Sequence, residues 1–203
     1  MIRHGSKVST DIRREQIVQA ALRIIAKKGV SGLTTASIAN EVGISEANLY
    51  RHFKSKDEIL SETVEKIGEG FRINLENVFK ISANDLPLVK LKRIFMLHLD
   101  YIDKNEGSPR LVFSAEIHAG NKKLKEKLLN SITSYAAALE SIIKEGQKTG
   151  SVKNDIRPRA SALMLIGTVQ ITVLRWSLSG FSFPLVAEGM KLWENFERCI
   201  RAK

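Results

Sequence analysis

Three polar side chains near residue 50 carry the hydrogen-bonding groups that read the edges of DNA bases. Arginine can bond guanine through two hydrogen bonds, asparagine can do the same with adenine, and glutamate can accept one from cytosine. Glu46, Asn48 and Arg51 supply these groups within six residues. Leu49 and Phe53 are four residues apart and would face inward, which leaves the polar groups on the outer faces of a short helix. The segment therefore predicts a helix that contacts base edges.

Two short helices joined by a tight turn would position these groups. Ile38, Ala39 and Val42 form one apolar face at helical spacing. Gly43 follows them where a helix-turn-helix bends sharply, and Ser45 is a suitable N-cap for the second helix. The pattern predicts a helix-turn-helix unit.

The beginning of the first of these two helices predicts a phosphate contact. Thr34 or Thr35 can cap this helix. A capping hydroxyl and the free backbone amides of a helix N-terminus together suit a phosphate group.

The charge of the chain favours an anionic partner. The 203 residues carry a net charge of +10 at pH 7. Ten Lys and Arg stand against five Asp and Glu up to Asp57, so positive charge is densest around the helix-turn-helix. Residues 1–9 include Arg3, His4 and Lys7 and form a basic arm, which either enters a minor groove or remains a solvated tail.

Helical spacing of apolar residues continues through the rest of the chain, and no strand alternation persists. Ser55 and Glu58 fit a capping box that opens a long helix ending near residue 80. Proline and glycine then separate further helices. We predict an all-α fold of about nine helices, with a three-helix helix-turn-helix domain over residues 1–56 and a larger helical domain over residues 57–203.

No motif for an enzyme, a cofactor or a metal is present. The sequence lacks a nucleophile elbow, a phosphate-binding loop, a dinucleotide fingerprint and a zinc signature. His98 with Asp100 and Asp103, or Glu116 with His118, fits no strong metal-ligand spacing. We therefore predict a protein that is not an enzyme and has neither a cofactor nor a metal.

The sequence predicts a cytoplasmic protein with no membrane partner. No apolar signal segment follows Met1. The longest apolar zone, residues 160–174, is shorter than the roughly 20 residues that span a bilayer. The single cysteine, Cys199, excludes an intrachain disulfide and is predicted to be a small buried hydrophobe.

Residues 12–60 resemble the DNA-binding domain of the TetR family of transcriptional regulators. The matching positions are Ile17, Ala20, Ala21, Gly29, Thr34, Thr35, Ile38, Ala39, Val42, Gly43, Ile44, Ser45, Leu49, Tyr50, His52, Phe53, Lys56 and Leu60. The resemblance implies phosphate contacts from Thr35, Tyr50, His52 and Lys56. The complete predicted DNA-binding set is Thr34, Thr35, Ser45, Glu46, Ala47, Asn48, Tyr50, Arg51, His52 and Lys56. Ala47 departs from the glycine that many members carry, so the family does not supply the base contacts.

The resemblance also implies a homodimer that binds a palindromic operator in double-stranded DNA, with one recognition helix for each half-site. The last two helices would form the dimer interface. The apolar residues predicted to lie there are Leu165, Val169, Val173, Leu192, Trp193 and Phe196.

A pocket for a small-molecule effector between helices four and seven is a further implication. The predicted lining residues are Phe71, Phe95, Met96, His98, Phe113, His118, Tyr135 and Trp176. The implied function is a repressor released by a lipophilic inducer, for which an acyl-CoA is one candidate. The alternative is an architectural DNA-binding protein of the same family without a small-molecule ligand.

Overall fold

The computed structural model of the chain describes residues 9–82, 84–120 and 122–202. These residues form nine α-helices, a 3₁₀ turn at Val30–Gly32 and a π-helical turn at Glu116–Gly120. The helices are α1 (Thr10–Lys28), α2 (Thr35–Val42), α3 (Glu46–Tyr50), α4 (Lys56–Ile81), α5 (Pro87–Asp103), α6 (Gly107–Val112), α7 (Lys122–Lys148), α8 (Pro158–Leu178) and α9 (Leu185–Ile200). The predicted all-α fold is confirmed. Apart from Ser9, the predicted basic arm lies outside the described residues.

The helix-turn-helix consists of α2 and α3 and follows from local sequence chemistry. Thr34 and Ser37 form a reciprocal capping box at the start of α2. Gly43 ends α2 in the left-handed conformation, with φ 75° and ψ 38°, which a residue with a Cβ adopts only at a cost. Ser45 caps α3 by accepting a hydrogen bond from the backbone N–H of Asn48.

Helix α4 links this unit to the rest of the molecule. Its 26 residues span about 39 Å at 1.5 Å per residue. Gly68 and Gly70 lie midway along it, where α5 and α7 approach closely. A Cβ on Gly70 would overlap the ring of Tyr101, and one on Gly68 would lie 2.9 Å from Oγ of Ser131. The two glycines therefore serve close helix packing.

The larger core is formed by α5, α7, α8 and α9. Trp193 is completely buried and packs against Phe95, with ring centroids 5.6 Å apart. Helix α8 is long and apolar enough to cross a membrane by length and composition alone. However, eight of its residues lie in the core of the chain, including Leu165 and Val169, so packing explains much of its apolar character.

A second core begins in α1 and continues across the predicted domain boundary at residue 56. It joins apolar residues of α1–α3 to Leu111, Ile117 and Leu124, which belong to the larger domain. Helix α6 lies directly on α1, since a Cβ on Gly107 would overlap the backbone carbonyl of Leu22. The first helix is therefore packed between the helix-turn-helix and the larger domain.

Candidate DNA-binding face and central cavity

The base-reading candidates are arranged on α3. Glu46, Ala47 and Arg51 are exposed, Asn48 is half-buried, and Leu49 anchors the helix in the core. Oγ1 of Thr35 donates a 2.6 Å hydrogen bond to Oε2 of Glu46, which joins the N-termini of α2 and α3.

The phosphate candidates lie around the same unit. Tyr50 is half exposed, and Nζ of Lys56, at the start of α4, lies 3.5 Å from the carbonyl oxygen of Val30. His52 is half-buried, and its Nδ1 is enclosed with no hydrogen-bond partner among the described residues. None of the ten predicted DNA-binding residues is classed as buried, so all retain some access to solvent or a ligand.

Arg14 of α1 connects the end of the recognition helix to α4. Its Nη1 donates a hydrogen bond to the carbonyl oxygen of His52, and its Nη2 lies 2.9 Å from Oε2 of Glu62. Glu58 is a second ion-pair partner at 3.5 Å. The guanidinium also lies over the Phe53 ring, 4.0 Å from its centroid. Sequence spacing gave no indication of this role, because Arg14 belongs to no recognised motif.

A cavity of about 970 Å³ lies between α4, α7 and α8 and reaches α1, α5 and α6; we call it the central cavity. This volume is near the upper end of the roughly 300–1,000 Å³ typical of small-molecule sites. Most of its inner wall is apolar. The residues that form this wall include Val64, Ile67, Phe71, Leu75, Ile102, Val112, Leu128, Ile132, Ile166, Val169 and Val173.

Charged side chains lie on the outer part of this wall. The basic ones are Arg14, Lys66, Arg72 and Lys127, and each is in an ion pair. Lys66 lies 3.1 Å from Glu15 of α1, and Lys127 lies 2.7 Å from Glu65. The hydrogen bond that Lys66 donates to the Glu15 carboxylate is the leading cause that raises the pKa of Lys66. An anionic ligand group beside these basic side chains would therefore compete with the carboxylates that already bind them.

His98 and Tyr135 form a hydrogen-bonded polar pair in the largely apolar lining of the central cavity. Nδ1 of His98 lies 3.0 Å from the Tyr135 hydroxyl oxygen, and the Phe71 ring lies 4.3 Å from the imidazole ring. Burial lowers the pKa of His98 to about 3 and raises the pKa of Tyr135. Both side chains are therefore uncharged near neutral pH.

Only some of the predicted lining residues lie in the wall of the central cavity. Phe71, His98, Phe113 and Tyr135 line the central cavity. Phe95 borders only a small void behind His98. Met96 is exposed and outside the lining, which corrects its prediction as a pocket residue.

Two further predicted lining residues also lie outside the cavity wall. Trp176 packs against Phe181 with ring centroids 4.7 Å apart. His118 is exposed, and its Nε2 lies 3.1 Å from the carbonyl oxygen of Val112. The resemblance implied a pocket in this part of the chain, but residue type alone does not distinguish the wall of a void from packed core or exposed surface.

The predicted dimer-interface residues require a correction. Leu165, Val169, Val173, Trp193 and Phe196 lie in the core of a single chain, and only Leu192 is half-buried. The prediction of these five as dimer-interface residues is wrong. Leu165, Val169 and Val173 lie on the inward face of α8, which is apolar on several faces, and Trp193 and Phe196 lie on the inward face of α9. Cys199, predicted to be buried, is exposed on α9.

An exposed apolar stripe runs along the other side of α8. We define this α8 stripe by the exposed residues Leu163, Met164, Gly167, Ile171 and Leu178 together with the half-buried Leu174. Ile171, near its middle, is 51% exposed. An apolar stripe of this length on a helix surface is typical of a protein–protein contact.

Comparison with known proteins identifies the family. Residues 17–63 match the family described as bacterial regulatory proteins, tetR family, and residues 53–196 match the YsiA-like protein C-terminal region. The chain belongs to the TetR family. It is therefore a DNA-binding transcription regulator that acts as a dimer, and it is not an enzyme.

This TetR-family chain is similar to two proteins whose described functions differ. The fatty acid metabolism regulator protein of Bacillus subtilis is 30% identical over 176 residues, which cover 85% of this chain and 87% of the relative. The nucleoid occlusion factor SlmA of Vibrio cholerae is 27% identical over 182 residues, which cover 89% of this chain and 92% of the relative.

A solved structure is also similar over nearly its full length. The transcriptional regulator FadR from Bacillus subtilis, in complex with stearoyl-CoA, has a TM-score of 0.76 and 25% sequence identity. The match covers 90% of this chain and 96% of FadR. The similarity therefore extends over both the DNA-binding helices and the larger domain.

Proposed function

We propose that this TetR-family regulator is a cytoplasmic repressor that leaves its operator when a long-chain acyl-CoA enters the central cavity. The observation that carries the proposal is the cavity itself, a largely apolar space of about 970 Å³ whose lining includes residues of α1, the first helix of the predicted DNA-binding domain. An apolar wall of this kind suits a long hydrocarbon chain, because the chain buries its surface there. The stearoyl-CoA complex of the similar FadR structure supports the same ligand class.

DNA binding would use α3 in the major groove of each half-site. Arg51, Asn48 and Glu46 would contact base edges, and the remaining predicted set would bind phosphates or support the turn. The exposure of Arg51 and Glu46 supports this assignment.

The dimer would form through the α8 stripe. Two copies related by a two-fold axis would each cover the other's exposed apolar residues, such as Met164 and Ile171. Gly167 has open space around it, so a partner helix could approach closely at that position. This arrangement would set the distance between the two recognition helices, which must be about 34–36 Å for successive turns of DNA.

Arg14 would couple the cavity to the recognition helix. It lines the cavity and also bonds the carbonyl oxygen of His52, immediately after α3. The phosphates of a CoA group at the opening would compete with Glu58, Glu62 and His52 for this guanidinium. Loss of the bond to His52 would free the end of α3, and DNA affinity would decrease. A coupling of about 1–3 kcal/mol would weaken the operator complex about 5- to 150-fold.

The test is operator release by a defined ligand. We would select an operator from randomised DNA and measure its affinity with stearoyl-CoA and with free CoA. Ile132→Trp would fill the cavity from α7, whereas Leu129→Trp on the same helix is exposed and serves as the matched control. We expect stearoyl-CoA to release wild type and the control but not Ile132→Trp. Equal release of all three proteins would contradict the cavity as the effector site.

The similarity to SlmA supports a second candidate, a DNA-binding factor that needs no small-molecule ligand. Such a protein would bind operators with an affinity that no acyl-CoA changes. An operator affinity that is constant across acyl-CoA chain lengths would favour this second function over the first.

A further inference from the structure

The inner end of the central cavity is marked by His98. His98, Tyr135, Ile166 and Val169 line both this cavity and a void of about 10 Å³ behind it. The remaining wall of that void includes Leu139 and other buried residues of the large core. The polar pair therefore stands where the cavity meets the large core.

One ring nitrogen of His98 is left without a hydrogen bond in the described part of the chain. Nδ1 is bonded to the Tyr135 hydroxyl group. Nε2 has no hydrogen-bond partner among the described residues, and it is not enclosed by protein atoms. Because His98 lines the cavity, this nitrogen is accessible to a ligand that reaches the inner end.

The chemistry of the pair selects an uncharged partner. Burial holds the pKa of His98 at about 3, so the ring is neutral near neutral pH and carries a single N–H. If Tyr135 donates to Nδ1, Nε2 carries the proton and acts as a donor; in the other tautomer Nε2 is an acceptor. A hydroxyl group satisfies both tautomers. An ionised carboxylate could accept a hydrogen bond only from the Nε2–H tautomer, and it would bring an uncompensated charge into a largely apolar site, which is costly.

We propose that the effector carries a hydroxyl group near the end of its hydrocarbon chain that reaches the inner end of the cavity, and that Nε2 of His98 binds this group. The proposal rests on the proposed function, because it concerns the chemical class of the lipophilic ligand in the same cavity. A saturated chain of the same length would cover Nε2 and leave it without a hydrogen bond. Leaving a buried polar group unpaired weakens binding by about 5- to 150-fold.

The experiment compares saturated and hydroxylated ligands on the full-length protein. We would measure the binding of hexadecanoyl-CoA and of hydroxyhexadecanoyl-CoA isomers. These isomers carry the hydroxyl group at successive positions in the half of the acyl chain that is farthest from CoA. The variants are His98→Leu, which removes both ring nitrogens, and Tyr135→Phe, which removes the partner of Nδ1. His118→Leu changes an exposed histidine outside the cavity and is the matched control.

We expect wild type and His118→Leu to bind at least one hydroxylated isomer about 10-fold more tightly than the saturated ligand. His98→Leu should bind the two ligands equally, and His98→Gln, which retains hydrogen-bonding groups, should recover part of the preference. A second readout is the ¹⁵N spectrum of the His98 ring, in which only the hydroxylated ligand should shift Nε2.

The outcomes separate the two proposals. If wild type binds the saturated ligand as tightly as every hydroxylated isomer, the hydroxyl proposal is wrong and acyl-CoA binding in the cavity stands. If the preference persists in His98→Leu, the hydroxyl site lies elsewhere and the proposal is wrong. If wild type binds neither ligand, both this proposal and the acyl-CoA effector are wrong.

Discussion

The guanidinium carbon of Arg14 lies 4.0 Å from the centroid of the Phe53 ring. Phe53 is almost completely buried and follows α3 by three residues. Arg14 therefore covers the end of the recognition helix α3. Its Nη2 atom donates a hydrogen bond to Glu62, which lines the central cavity. A single side chain thus touches both the DNA-reading unit and the space proposed for the effector.

Arg14→Lys should reduce the response to effector. Lysine keeps the charge but lacks the planar fork, so it cannot hold the His52 carbonyl oxygen and Glu62 at the same time. We expect the ratio of operator affinities without and with stearoyl-CoA to decrease several-fold. Arg23→Lys, in an ion pair with Glu41 and outside the cavity lining, is the control. A ratio equal to that of wild type would remove Arg14 from the coupling.

Arg51→Ala and Lys56→Ala should affect DNA binding differently. Lys56→Ala should weaken binding to all sequences and decrease the slope of log affinity against log salt by about one, because one phosphate contact is lost. Arg51→Ala should relax the preference at particular base pairs. Binding to a randomised operator library at several salt concentrations measures both effects. Uniform losses for Arg51→Ala would show that it reads no base.

Ile171→Glu should give a folded monomer, whereas Leu165→Glu should unfold the chain. Ile171 belongs to the exposed α8 stripe, so in one chain a charge there remains in water. Leu165 is 2% exposed, and an unpaired charge in the core is expensive. Sedimentation gives the oligomeric state, and circular dichroism gives the helix content. A dimeric Ile171→Glu protein would place the interface on another surface.

Acid should destabilise the fold through His98. Its pKa is lowered to about 3 in the folded state, so below about pH 6.5 the unfolded chain binds a proton that the folded chain does not. The free energy of unfolding should therefore decrease as pH falls, by up to about 2 kcal/mol between pH 7 and pH 5.

Urea unfolding of His98→Gln at both pH values measures this contribution, with His118→Gln as the exposed control. We expect the pH dependence to weaken only in His98→Gln. The same pH dependence in His98→Gln and wild type would mean that His98 is not the titrating group.

Gly107→Ala should destabilise the protein by about 1–3 kcal/mol or more, because the new methyl group meets a backbone carbonyl that has no rotamer to change. Gly167→Ala has open space and should be neutral or stabilising by up to about 1 kcal/mol. Both changes should be measured by urea unfolding in the Ile171→Glu background, so that dimer formation does not contribute. Equal stabilities would contradict the close packing of α6 on α1.

The helix-turn-helix could be predicted from sequence because its determinants are local. The capping box at Thr34, the left-handed Gly43 and the N-cap at Ser45 each act within a few residues. The orientation of α8 could not be predicted, since apolar residues on several faces leave the inward face undetermined until other helices pack against it. A glycine inside a helix, such as Gly68 or Gly70 in α4, is compatible with either a flexible point or the close approach of another helix. The contacts of Tyr101 and Ser131 support the second interpretation.

The core that α1 shares with α6 and the residues after it also limits how a DNA-binding domain can be exchanged between related regulators. A hybrid that takes residues 1–56 from this chain and the remainder from another regulator would pair Ile17 and its neighbours with foreign side chains at positions 111, 117 and 124. The residues that would have to be transferred together therefore come from separate segments of the sequence. A functional graft would have to carry the first half of α4, α6, the turn that follows α6 and the start of α7 together with the first three helices.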